Sequence, residues 1–123
     1  MIEIIITDLV EQHVHNNLYA VKAPKDLTGS FIVYSVQGFN SQRDLSAYKQ
    51  RSVNIQLNVF ADSYKQAKQQ QQKIIDLFED FDQVIESNNK SYTIQTAIQN
   101  IIDLTTEPYE IAIDITVDYI VSP

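Results

Sequence analysis

From Tyr109 to Val121 every second residue is apolar. Tyr109, Ile111, Ile113, Ile115, Val117, Tyr119 and Val121 fall on one side, and Glu110, Ala112, Asp114, Thr116, Asp118 and Ile120 on the other. Period two is the spacing of a β-strand, whose successive side chains point to opposite faces. RSVNIQLNVFA (51–61) repeats the pattern, with Val53, Ile55, Leu57 and Val59 opposed to Asn54, Gln56 and Asn58. One apolar and one wet side predict a half-buried antiparallel strand. SFIVYSVQG (30–38) is rich in β-branched and aromatic residues, ends on a glycine and carries apolar groups on both sides, which predicts a strand inside the sheet. SYTIQTAIQNIIDL (91–104) reads as a weaker strand whose alternation blurs near Ile101 and Ile102.

Elsewhere the period is helical. Ile2, Ile5, Ile6, Leu9 and Val10 recur at i, i+3, i+4, i+7 and i+8, predicting a short helix to about His15. Ser63 and Gln66 form an S-x-x-Q capping box. The helix it opens is expected to run to about Ser87, burying Ala67, Ile74, Ile75, Phe78, Phe81, Val84 and Ile85, with NNK (88–90) turning the chain. The four glutamines 69–72 read as a solvated helical segment, being short and flanked by lysines. Leu18 to Val21 reads as a brief extended piece, KAPKDLTGS (22–30) as a loop and TTEP (105–108) as a turn. Residues 40–50 are polar without clear period, either a loop or the splayed tips of two strands. The expected fold is α+β: a single domain over 1–123, with one antiparallel sheet of about four strands, a short N-terminal helix and one long central helix on the sheet's apolar face. Val53, Ile55, Leu57, Val59, Ile111, Ile113, Ile115 and Val117, covered by Ile74, Phe78 and Phe81, are the predicted core.

Composition narrows the function. The 123 residues (14.1 kDa) are 44% hydrophobic and 20% charged, an ordinary globular balance. No apolar run exceeds four residues, as in FIVY (31–34), far short of the ~20 residues a membrane span needs. Met1-Ile2-Glu3 lacks a basic stretch ahead of a long apolar one, which argues against a secretory signal. The absence of cysteine removes disulfides, thiolate catalysis and sulfur-ligated metals. A net charge of −7 argues against nucleic-acid binding through phosphate contacts, and no membrane partner is expected.

Catalytic patterns are missing. His13 and His15 point nearly opposite ways on a helix and cannot share a metal; Glu11 and His15, at i and i+4, make half a site and nothing completes it. No nucleophile elbow or phosphate-binding glycine motif occurs, and Gly29 and Gly38 are the only glycines. Glu79, Asp80 and Asp82 interleave with Phe78 and Phe81, as the polar side of an amphipathic helix does. Neither catalytic residues nor cofactor or metal ligands are assigned. Two features remain. Glu110, Asp114 and Asp118 put three carboxylates on one side of the last strand, a repulsive arrangement unless spread, screened or useful. The segment 42–51 concentrates Arg43, Lys49 and Arg51 in an acidic chain, with Asp44 and the apolar Leu45 and Tyr48 between, as an arm that orders against a partner requires.

The succession SFIVYSVQG, RSVNIQLNVFADSYKQAKQQQQKI and YEIAIDITVDYIV resembles the tail completion, or tail terminator, family of long-tailed bacteriophages and prophages over most of its length. That family has a short N-terminal helix, a P-x-I-V-Y strand, a strand ending V-x-V-[YF]-A-x-[ST]-Y-x-x-A, a helix directly after it and a closing strand. Here the middle motif stands as Leu57, Asn58, Val59, Phe60, Ala61, Asp62, Ser63, Tyr64 and Ala67, and Ser30 replaces the proline of the first. The resemblance implies a structural, non-enzymatic role in the virion neck, assembled in the bacterial cytoplasm. The chain would form a ring, commonly sixfold, that stops tail-tube growth and joins the tube protein to the head connector, or stopper, protein. DNA would pass through without specific binding. The arm Arg43, Asp44, Leu45, Tyr48, Lys49 and Arg51 would meet neighbours, and Glu110, Asp114 and Asp118 would face the channel. Another neck or tube adaptor of related fold, or a small α+β hydrolase or ligand-binding domain, are the alternatives; the latter needs a pocket with a perturbed titratable group.

Overall fold

The structure, a computed structural model, describes residues 2–14, 18–20, 30–43, 49–104 and 109–122. Helix α1 (Ile2–His13) and strand β1 (Leu18–Ala20) precede β2 (Phe31–Arg43) and β3 (Lys49–Ala61). Helix α2 (Tyr64–Phe78), β4 (Asp82–Ser87), β5 (Lys90–Leu104) and β6 (Tyr109–Ser122) complete the chain. The strands form one six-stranded sheet in the order β1-β2-β3-β6-β5-β4. Short β1 lies parallel to β2, and every other neighbouring pair is antiparallel.

Strict alternation places β3 and β6 at the centre. Val53, Ile55, Leu57 and Val59 are in register with Val117, Ile115, Ile113 and Ile111, and none of the eight exceeds 3% exposure. Burying each such side chain contributes ~1.5–3 kcal/mol. Ile5, Ile6 and Val10 of α1 and Ala67, Ile74 and Phe78 of α2 join them in one core. The Ser63 side chain accepts from the Gln66 N–H, capping α2 as the box predicts.

The expectation of about four strands and a long central helix is wrong. Helix α2 stops at Phe78 rather than Ser87, and residues 82–87 are the edge strand β4. Glu79 is already extended, Asp80 takes φ 63°, and the Thr96 hydroxyl on β5 donates to the Phe78 carbonyl. Aspartate is one of the few residues that enter the left-handed region readily. The Thr96 N–H donates to the Phe81 carbonyl at 3.0 Å, which starts the β4–β5 ladder. Asn88 and Asn89, with φ 52° and 62°, then close a two-residue hairpin between Ser87 and Lys90. Phe81 and Ile85 still pack against the core from outside any helix, but Val84, expected on a buried helix face, is 61% exposed.

The blurred alternation near Ile101 has a local cause. The β5–β6 register shifts between Ile98 and Asn100, so one extra residue turns both Ile98 and Ile101 toward the core and leaves Ile102 on the opposite face. The polar stretch 40–50 is mostly ladder: β2 reaches Arg43, paired with Lys49.

Candidate functional site

One face of the sheet carries the helices; the other is uncovered among the described residues. Register puts Asp82 and Glu86 of β4 and Glu110, Asp114 and Asp118 of β6 on the uncovered face, with no lysine or arginine among its described side chains. Glu110, Asp114 and Asp118 are half-buried and, four residues apart, spaced by roughly 13 Å along the strand. Neutral amides hold two of them. Gln56 Nε2 donates to Asp114 Oδ1 at 2.9 Å, and Asn58 Nδ2 donates to Glu110 Oε2 at 2.8 Å. Asp118 stands in a row between Ser52 and Gln95. Separation and amide bonding ease the repulsion that three carboxylates on one strand would otherwise impose.

A second bulge, between Val36 and Gly38, extends this polar surface. The two extra residues, Gln37 and Gln99, line a shallow depression of about 340 Å³ with Asn54, Gln56, Asp114 and Thr116. The Thr116 hydroxyl donates to Asn54 Oδ1 at 3.0 Å across its floor. At one end the same face turns apolar: Phe31 and Phe60 stack at 4.8 Å, and Ile102 and Leu104 are 45% and 41% exposed.

The basic arm is the far end of the β2–β3 hairpin. Arg43, Lys49 and Arg51 stand in its last three rows, Arg51 half-buried in register with Ser41 and Tyr119; Asp44, Leu45 and Tyr48 lie outside the described residues. Below them Val36 and Phe39 are 47% and 61% exposed. The arm and the acidic stripe are therefore separate surfaces.

Other charged groups have structural duties. Lys68 pairs with Asp103 at 3.2 Å, which holds its ammonium above the ordinary value, and lies 5.4 Å from the centre of the Tyr64 ring. Tyr64 in turn meets Tyr109 edge-on, so this group ties the start of α2 to β5 and β6. His13 is exposed beside Lys73, Asp76 and Leu77; His15 is outside the described residues. Among the described residues no three metal-binding side chains converge.

Sequence reasoning found the acidic stripe and the arm's basic residues. It missed the two bulge glutamines and the edge strand; the doublet Asn88-Asn89, a type I′ hairpin signal, pointed to the latter. No family model and no curated protein matches the chain.

Proposed function

We propose that this chain is a tail completion protein of a long-tailed phage or prophage: a non-enzymatic ring subunit that ends the tail tube and joins it to the head connector. The proposal starts from the motifs around Ile32–Tyr34 and Leu57–Ala67. The observation that carries it is the uncovered sheet face, with five carboxylates, amides between them and no basic side chain among the described residues. Lining a passage, such a face repels DNA phosphates and gives them no counterion-releasing contact. The exposed Val36 and Phe39 below the basic arm supply the apolar surface that subunit contacts use. Deleting the gene and imaging lysates by electron microscopy tests the role. Unjoined heads, with tails of uncontrolled length, are expected; normal joined particles overturn it. A neck adaptor of related fold is the second reading, and binding to purified tube and connector proteins separates the two.

A further inference from the structure

Both bulges are extra to the fold. Val36 is in register with Ile55 and Gly38 with Asn54, so Gln37 stands outside the β2–β3 ladder. Ile98 is in register with Ile115 and Asn100 with Asp114, so Gln99 stands outside the β5–β6 ladder. Removing either residue would join its neighbours in regular alternation and leave every other side chain on its present face. The ladder needs neither insertion, and bulges of this kind re-aim side chains beside functional sites.

The two insertions also converge. Ile55 and Ile115 share a row, and the bulges flank it on the strands to either side. Three strand spacings of ~4.8 Å put the two glutamine backbones roughly 14 Å apart, with Asn54, Gln56, Asp114 and Thr116 between them. Gln37 Nε2 donates to Ser35 Oγ at 2.5 Å, which draws its amide toward the row Ser35, Gln56, Asp114, Asn100. One donor each from Gln37, Gln56 and Thr116 is thus used within the protein, on Ser35, Asp114 and Asn54. Gln37 Oε1, Gln56 Oε1 and Asp114 Oδ2 accept no hydrogen bond among the described residues. The open groups are mainly acceptors around one carboxylate, on a face with no described basic side chain. Guanidinium and primary ammonium groups only donate and carry positive charge, so they match this set, whereas an anion is repelled and a neutral polyol finds few donors.

We propose that the depression binds a free guanidinium or primary ammonium compound, held on Asp114 while Gln37 and Gln99 close on it from the two flanks. The site lies within one subunit and does not depend on the phage role.

Nα-acetyl-arginine amide and Nα-acetyl-lysine amide, titrated into the isotope-labelled chain at low salt, test the site by nuclear magnetic resonance, with glucose and acetate as controls. The side-chain amide signals of Gln37, Gln56 and Gln99 should follow one saturable curve with at least one of the cations and stay in place with glucose or acetate. Asp114→Asn should weaken binding about tenfold or more, the worth of a charge-assisted hydrogen bond. Asp118→Asn, on the same strand but away from the bulges, should leave the affinity nearly unchanged. Deleting Gln37 or Gln99 should preserve the circular dichroism spectrum and lower the affinity severalfold; Gln37→Ala and Gln99→Ala give the same reading should a deletion variant fail to fold. No saturation with either cation, an equal response to glucose, or full affinity in the glutamine variants overturns the site. An equal loss from Asp118→Asn also overturns it, because that marks a diffuse ion cloud over the whole acidic face.

Discussion

Thr96→Val tests where α2 ends. Thr96 is 7% exposed and its hydroxyl donates to the Phe78 carbonyl, one of the last four carbonyls of a helix that lack an intrahelical donor. Valine matches threonine in shape and strand preference, so the change removes a hydrogen bond and little else. A buried carbonyl left without its donor costs ~1–3 kcal/mol, and the new methyl returns up to ~0.8 kcal/mol, for a net loss between ~0.2 and ~3 kcal/mol whose middle is ~1–2 kcal/mol. With a urea slope of ~1.5 kcal/mol/M, the unfolding midpoint should fall by ~0.7–1.3 M at unchanged slope. Had the helix continued to Ser87, the Phe78 carbonyl would bond to the amide of residue 82 and the hydroxyl would be dispensable. No fall in the midpoint, or a rise, would therefore refute the termination at Phe78.

Phe78→Ala removes a fully buried ring tilted against Phe81 at 6.5 Å and should cost ~3–5 kcal/mol by denaturant titration; below ~1 kcal/mol the core is misplaced. Asn89→Gly relieves a positive φ at the hairpin and should leave stability unchanged or raise it by up to ~1 kcal/mol, whereas Asn89→Val should lower it. The Glu3 carboxylate accepts from its own backbone N–H at the start of α1, which lowers its pKa from the ordinary 4.5. Because the folded value is depressed, its stabilisation is present above pH 4.5 and lost as pH falls through the folded value. Glu3→Gln should thus cost ~0.3–1 kcal/mol at pH 7 and nothing in strong acid, read by melts at both pH values.

The central strands were legible because one face is dry and the other wet: Val53–Val59 and Ile111–Val117 alternate without a break. Residues 78–87 were not, because Phe78, Phe81, Val84 and Ile85 recur at helical spacing although only Phe78 ends a helix. The deciding facts are a hydroxyl on β5 and left-handed Asp80, and the first is a contact across 18 residues. The bulge at Gln99 was visible only as noise, since an inserted residue reverses the parity of everything after it. The acidic stripe was readable as a period. The emptiness of its surroundings was not, because it depends on which strands flank β6 and what they carry.

In the ring proposed above, one face of each subunit's sheet lies on the inner, concave side. Helices α1 and α2 occupy one face and add a layer about 10 Å thick, which crowds on a concave side and spreads on a convex one. The helix-free face, with Glu110, Asp114 and Asp118, then turns inward. Asp114→Lys with Asp118→Lys tests that placement. Both carboxylates are half-buried on the open face and Asp114 loses only the amide bond from Gln56, so the variant should fold and join particles. With lysines lining the passage, phosphates gain contacts whose strength grows as salt falls, since the Debye length lengthens from ~10 Å at 0.1 M to ~30 Å at 0.01 M. DNA ejection from the variant particles should therefore slow at low salt and approach the normal rate at high salt. Ejection at the normal rate in low salt, from correctly joined particles, would place the acidic face outside the channel.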